Sequence, residues 1–159
     1  MYKRQELRNY SDISVDLSSH FLTDKYDNLT KWEFPDSNAV LGPGEFKLIW
    51  CDEDQEQGDY HTNFKLSSSG EFLALVLPDG QTILDSITFP AQDNDISFGR
   101  IEGDEDQWIF MSPSPLNPNE SLNLDDDITF PTKFKLKKIY PNPFNSSLCL
   151  LYTSPSPRD

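Results

Sequence analysis

The chain has 159 residues, room for one domain with appendages, and sets 13 lysines and arginines against 27 aspartates and glutamates for a formal net charge of -14. That balance argues against a nucleic-acid phosphate partner, which needs clustered cations; it suits a self-repelling, solvated surface or a hard cation. No apolar run reaches membrane-spanning length, and no secretory leader pattern opens the sequence.

In chain order, the first segment, MYKRQ, does not continue the pattern beside it, and neither does the last, CLLYTSPSPRD. Both resemble peptides that arise when sequencing-adapter DNA is read as coding sequence. Residues 1–5 and 149–159 are therefore expected to be artefactual and loosely packed. From Glu6 onward, short apolar runs alternate with turn clusters, the texture of an all-β protein. In ISVDLSSHFL, Val15 and Leu17 share a face by alternation and Ile13 extends the row. KWEF sets Trp32 and Phe34 against Lys31 and Glu33. The Gly42–Gly44 turn precedes Phe46, Leu48 and Trp50, which alternate with Lys47, Ile49 and Cys51 and are expected to face the core. Phe64 and Leu66 follow in the same role. The acidic stretch DEDQEQG lacks an apolar face and reads as an exposed loop. A hairpin is expected where the apolar run Phe72–Leu77 meets the turn Pro78-Asp79-Gly80 and Ile83, Ile87 and Phe89 resume. DISFGR and QWIFM supply two more strands, with Trp108 and Phe110 turned inward. Beyond Met111 the chain becomes rich in Pro, Ser, Asn and Asp, then basic and aromatic. These shifts divide it into a folded unit at 6–119, a linker at 120–135 and the start of a further unit at 136–148.

The candidate chemistry is sparse. No nucleophile elbow, phosphate-binding glycine loop or zinc-protease motif is present. Cys51 and Cys149 are the two thiols, in no metal-ligand spacing, and a disulfide between them stays open. His61 lies near Asp52, Asp54 and Asp59, a setting for a metal or acid–base role; the simpler reading is a strand-initiating His-Thr-Asn turn whose side chains bond nearby backbone. His20, beside Phe21, reads as packing. Acid clusters around Asp52 and Asp54, Asp93 and Asp95, and Asp104 and Asp106 are candidate calcium loops, as is Asp125–Asp127, against the simpler reading of a solvated acidic surface. No other cofactor is expected. Trp32, Trp50 and Trp108 would form a sugar platform only if exposed, and their strands point them to the core. Arg100, alone in an acidic region, is expected to pair with a carboxylate.

Several stretches in order carry a family likeness: ELRNYSDISVDLSSHFLTD, KWEFPDSNAVLGPGEFKLIWCDED, HTNFKLSSSGEFLALVLPDGQTILDSITFP and DISFGRIEGDEDQWIFMSPSPLNPN. Together, over residues 6–119, they resemble the lamin-tail domain in its bacterial branch. The exit Ser114-Pro115-Leu116 departs from the family's usual Thr-Pro-Gly. The resemblance implies an immunoglobulin-like β-sandwich, here N-terminally truncated because the family's preceding Ile-Asn-Glu strand is missing, with an extended C-terminal tail. An unpaired sheet edge is the expected consequence. Further on, Tyr140-Pro141-Asn142-Pro143-Phe144-Asn145 resembles the first strand of the C-terminal sorting domain of type IX secretion cargo, and implies export to the surface or medium of a bacterial cell. The function implied is a non-catalytic accessory module acting in adhesion, binding or domain spacing, with a protein or glycan surface partner and the secretion machinery as contacts. The alternatives are a fragment of a secreted hydrolase or kinase-like enzyme whose catalytic domain lies elsewhere, and a carbohydrate-binding sandwich.

Overall fold

The structure, a computed structural model, describes residues 4–119 and the backbone of 148–153. Eleven strands are described: β1 (Arg4–Asn9), β2 (Val15–Asp16), β3 (Phe21–Thr23), β4 (Trp32–Glu33), β5 (Val40–Leu41), β6 (Phe46–Trp50), β7 (Glu71–Val76), β8 (Ile83–Phe89), β9 (Ser97–Ile101), β10 (Asp104–Met111) and β11 (Leu148–Thr153). They form a five-stranded sheet in the order β10-β9-β11-β1-β6, a four-stranded sheet β4-β3-β7-β8 and the short pair β2-β5, with antiparallel pairing throughout. The architecture is all-β and β-sandwich-like: Leu7 and Ile49 of the larger sheet, with Cys51 just past β6, share one core with Leu22, Trp32, Leu73, Leu75 and Phe89 of the smaller one. Within DEDQEQG, Glu53 and residues 55–58 are exposed as expected, but Asp52 is buried, Asp54 is half-buried and Gln55–Gln57 closes into one 3-10 turn.

The expected hairpin is β7–β8. Its turn is built by Asp79, whose carboxylate accepts the N–H groups of Gln81 and Thr82 and the Thr82 hydroxyl, an Asx-type turn. β7 is apolar on both faces because both are covered: Leu73 and Leu75 face the main core, while Phe72, Ala74 and Val76 pack with Phe21, Leu29 and Ile83, and Tyr26 stacks on Phe72. Gly70 opens this strand at φ +88, and a Cβ there would meet the Phe89 carbonyl oxygen at 2.5 Å, so the position requires glycine.

The face of β6 is the reverse of the sequence expectation. Ile49 and Cys51 are fully buried, whereas Phe46, Leu48 and Trp50 are half-buried on the outer face. Both sets are apolar, so alternation shows that two faces exist without showing which is inside. The neighbouring strand decides it. Gln5 stands opposite Ile49 and Leu7 opposite Lys47, so the row holding core residue Leu7 shares its face with Ile49. Lys47, on that inward row, carries its ammonium out to the Asn38 carbonyl at 2.7 Å and over the Tyr60 ring. Trp108 and Phe110 are likewise half-buried, Trp108 stacked on Phe98 at the margin of the core. Trp32, Phe34, Phe64 and Leu66 are buried as expected. Leu17 is buried and Val15 packs beside it, but Ile13 is 66% exposed, in the loop that follows β1.

At the chain's ends the described residues depart from the loose packing and the open edge expected of them. Arg4 and Gln5 open β1, and Gln5 is fully buried. Residues 149–153 belong to β11, where an apolar Leu-Cys-Leu-Leu-Tyr-Thr run meets two strands with open hydrogen-bonding edges. β1 is consequently an interior strand, paired on both sides, where an unpaired edge was expected.

On the outer face of β1 stands Glu6, fully buried beneath the segment that leaves β10. One carboxylate oxygen accepts the N–H of Leu116 at 2.6 Å, and the other has no hydrogen-bond partner among the described residues. Leu116 adopts φ +60, in the left-handed region that ordinary residues rarely occupy. Burial pushes the Glu6 carboxyl up to about 7, opposed by the Leu116 hydrogen bond and the charge of Arg4. The folded chain thus holds this proton more tightly than the unfolded chain. The resulting stabilisation is full below about pH 4.5 and declines as pH rises through about 7. In denaturant unfolding between pH 5 and 8, Glu6→Gln should remove this decline, a difference of up to about 3 kcal/mol between the two profiles. Parallel profiles for the two proteins would contradict the assignment.

Candidate functional site

The most chemically suggestive cluster forms where β6 ends. Here the segment 60–62 joins the strand: the Trp50 N–H donates to the Tyr60 carbonyl and the Thr62 N–H to the Trp50 carbonyl, each at 2.8 Å. These bonds form a short parallel bridge between Trp50 and His61. Two residues on, Asp52 bridges antiparallel to Lys65. Backbone pairing on both sides therefore carries Asp52 and His61 into contact, with His61 Nδ1 2.9 Å from Asp52 Oδ2. The carboxylate accepts the Nδ1 proton, which leaves Nε2 as the ring's other polar atom. The imidazole lies nearly parallel to the Trp50 indole, centroids 5.9 Å apart and planes 11° apart. Asp52 is buried and His61 half-buried.

A His–Asp pair is the orienting half of a general-base unit, and it acts on a hydroxyl or thiol within hydrogen-bond reach. The groups nearby in sequence are otherwise engaged. Burial raises the pKa of the Cys51 thiol far from the thiolate range, and the side chain is fully inaccessible. The Ser37 hydroxyl donates to Asp59 Oδ2 at 2.5 Å, and Thr62 Oγ1 to the Phe64 carbonyl at 2.7 Å. Asn63 Nδ2 donates to the Lys31 carbonyl at 2.7 Å. The His-Thr-Asn turn thus works as read from the sequence for Thr62 and Asn63, which bond backbone, while His61 bonds a carboxylate.

The six candidate calcium ligands lie on three separate segments of the chain. Asp52 is held by His61, and Asp54 accepts from Gln57 at 2.5 Å. Asp93 and Asp95 are exposed between β8 and β9. Asp104 and Asp106, expected in a loop, lie in β10, next to the register shift between Asp104 and Trp108. Among the described residues no group of three or more His, Cys, Asp or Glu side chains is placed to hold a metal ion. The three tryptophans make no common platform. Trp32 is in the core against Phe34, Trp50 stacks on His61, and Trp108 stacks on Phe98 beneath Arg100. Arg100 pairs with Asp85 at 2.7 Å, as expected. His20 is buried, its Nδ1 3.2 Å from the Ser18 carbonyl. The segment Tyr140–Asn145 and the acid run Asp125–Asp127 lie outside the described residues, as does the Cys149 side chain; Cys51 is a free thiol. Among the described residues no helix is long and apolar enough to cross a membrane.

Two polar residues matter more than sequence reading suggested. Asn9 is fully buried and organises the turn after β1. Its amide donates to the carbonyls of Ile13, Leu41 and Gly42, and its oxygen accepts from the Ser11 N–H and hydroxyl. The signal available was an Asn followed two residues later by Ser, a common Asx pattern of little specificity. Glu6 gave no signal, because an acid in a short strand reads as solvent-facing.

Comparison with known proteins finds no matching family model, no matching curated protein and no matching solved structure.

Proposed function

We propose that this chain is a lamin-tail-like, immunoglobulin-type accessory module of a secreted or surface bacterial protein, serving in binding or domain spacing and not in catalysis. The observation that carries the reading is how the ionisable side chains are used. The pairs His61–Asp52, Arg100–Asp85, Lys31–Asp24 and Arg8–Glu102 each join segments of the frame. Arg8 reaches from β1 to the β9–β10 turn, Arg100 from β9 to β8, and His61 ties its segment to the end of β6. A frame tied in this way presents rigid loops for surface recognition. The order of residue motifs over 6–119 supports the same family, and the Tyr140–Asn145 motif supports an exported destination through the type IX route.

The rival reading, an enzyme, would rest on His61 and Asp52. Turnover separates the two. The purified full chain is incubated with chromogenic phosphodiester, carboxylic ester and glycoside substrates, alongside His61→Gln. The proposal predicts buffer-level rates for both proteins. A rate well above buffer that falls in His61→Gln would make the cluster catalytic and overturn the proposal. A carbohydrate-binding reading finds less support, since Trp32 is buried in the core and Trp50 and Trp108 each stack on a different ring.

A further inference from the structure

The position of β11 has consequences for assembly. β11 lies between β1 and β9 and is the element that joins them; without it the larger sheet falls into two ribbons, β10-β9 and β1-β6. Six residues pair with β1, from Arg4↔Thr153 to Asn9↔Leu148, and Tyr152 pairs with Phe98 on β9. The slot is thus a pair of strand edges offering backbone donors and acceptors to any extended segment of suitable pattern. Its occupant arrives from far along the chain. Asn119 is anchored, with Nδ2 donating to the Arg100 carbonyl at 2.8 Å and its own carbonyl accepting the Glu102 N–H at 3.3 Å. Residues 120–147 then intervene before Leu148. Fully extended, about 28 residues reach roughly 90 Å, against a diameter of roughly 35 Å for a domain of this size.

We propose that the slot between β1 and β9 is a strand-acceptor site that a second copy of this chain fills with its own residues 148–153, so that two copies exchange β11. Reciprocal exchange preserves every strand pairing in both copies, so the two arrangements differ only in connection entropy and concentration. A connection of this length gives an effective local concentration on the order of 1 mM. The monomer prevails when folding occurs in dilute solution, and exchange competes when folding occurs near that concentration. The charge of -14 on each copy opposes approach, so added salt favours exchange. The second copy is the occupant because the segment known to fit this slot, in a defined register, is Leu148–Thr153 itself.

The register supplies the test, because Arg8 stands directly opposite Cys149. Full-length Arg8→Cys should form an intrachain disulfide on mild oxidation. A chain carrying Arg8→Cys with Cys149→Ser is then refolded together with a mass-tagged unaltered chain, at micromolar and at near-millimolar concentration. The proposal predicts a mixed-chain disulfide that is absent from the dilute sample and rises with concentration and salt. A matched mixture with Ser69→Cys, an exposed position away from the slot, should not cross-link. Because Arg8→Cys also removes the ion pair with Glu102, the unaltered chain is refolded in parallel. Light scattering should show its mass double in the concentrated sample only, and deletion of residues 148–153 should abolish the doubling. An intrachain bond without a mixed-chain bond at any concentration would overturn exchange, and so would an unaltered chain that stays monomeric throughout. Absence of the intrachain bond would overturn the slot itself.

Discussion

Asn9→Ala is expected to be among the most damaging single substitutions in this chain. It leaves the buried carbonyl of Leu41 and the partly buried Gly42 carbonyl and Ser11 N–H without their partner. The same turn is held to the β5–β6 connection, where the Asn9 carbonyl accepts the Gly44 N–H at 2.8 Å and the Asn9 N–H donates to Glu45 at 3.0 Å. Stranding one buried and two partly buried backbone groups costs about 3 kcal/mol, a fall of roughly 10 °C in melting temperature for a domain of this size. Asn9→Asp tests the hydrogen-bond account separately. It keeps the acceptor for Ser11 but cannot donate to Leu41 and Gly42, so it should recover little of the loss. A melt of Asn9→Ala within about 2 °C of the unaltered chain would contradict the role of Asn9, since that corresponds to well under 1 kcal/mol.

The second large effect lies on β6. Ile49→Ala removes a fully buried side chain from the core between the sheets and should cost roughly 2–5 kcal/mol. Leu48→Ala, one position away on the half-buried outer face, should cost about 1 kcal/mol. Alternation read from the sequence predicts the opposite order, with Leu48 the core residue. Paired urea titrations decide between them. If the Leu48 variant were the less stable of the two, the β6 assignment would be inverted.

The hairpin β7–β8 was legible because its signals agree: a continuous apolar run, turn chemistry at Pro78-Asp79-Gly80, and resumed apolar positions. Trp32 and Phe34 were legible because Lys31 and Glu33 leave no doubt about the wet face. β6 was not, because both of its faces are apolar and the choice rests on a strand some forty residues earlier in the chain. β11 was illegible for a related reason. Non-local pairing gives no local signal, and proline-rich flanks made the C-terminal stretch look unfit for a sheet. In the site, the proximity of His61 to Asp52, Asp54 and Asp59 was visible in the sequence. Which carboxylate it would meet depended on the bridges at Trp50 and Asp52, which periodicity does not encode.

If the ionisable side chains brought together here serve the frame, as proposed, the His61–Asp52 pair must contribute to stability. A double-mutant cycle with Asp52→Asn, His61→Gln and the double variant, read by denaturant unfolding at neutral pH, isolates the energy of the pair. A structural pair should show a coupling of about 1–2 kcal/mol, with the double variant more stable than the two single losses predict. A coupling indistinguishable from zero would overturn this role, because the two groups would then be held together without contributing to the fold.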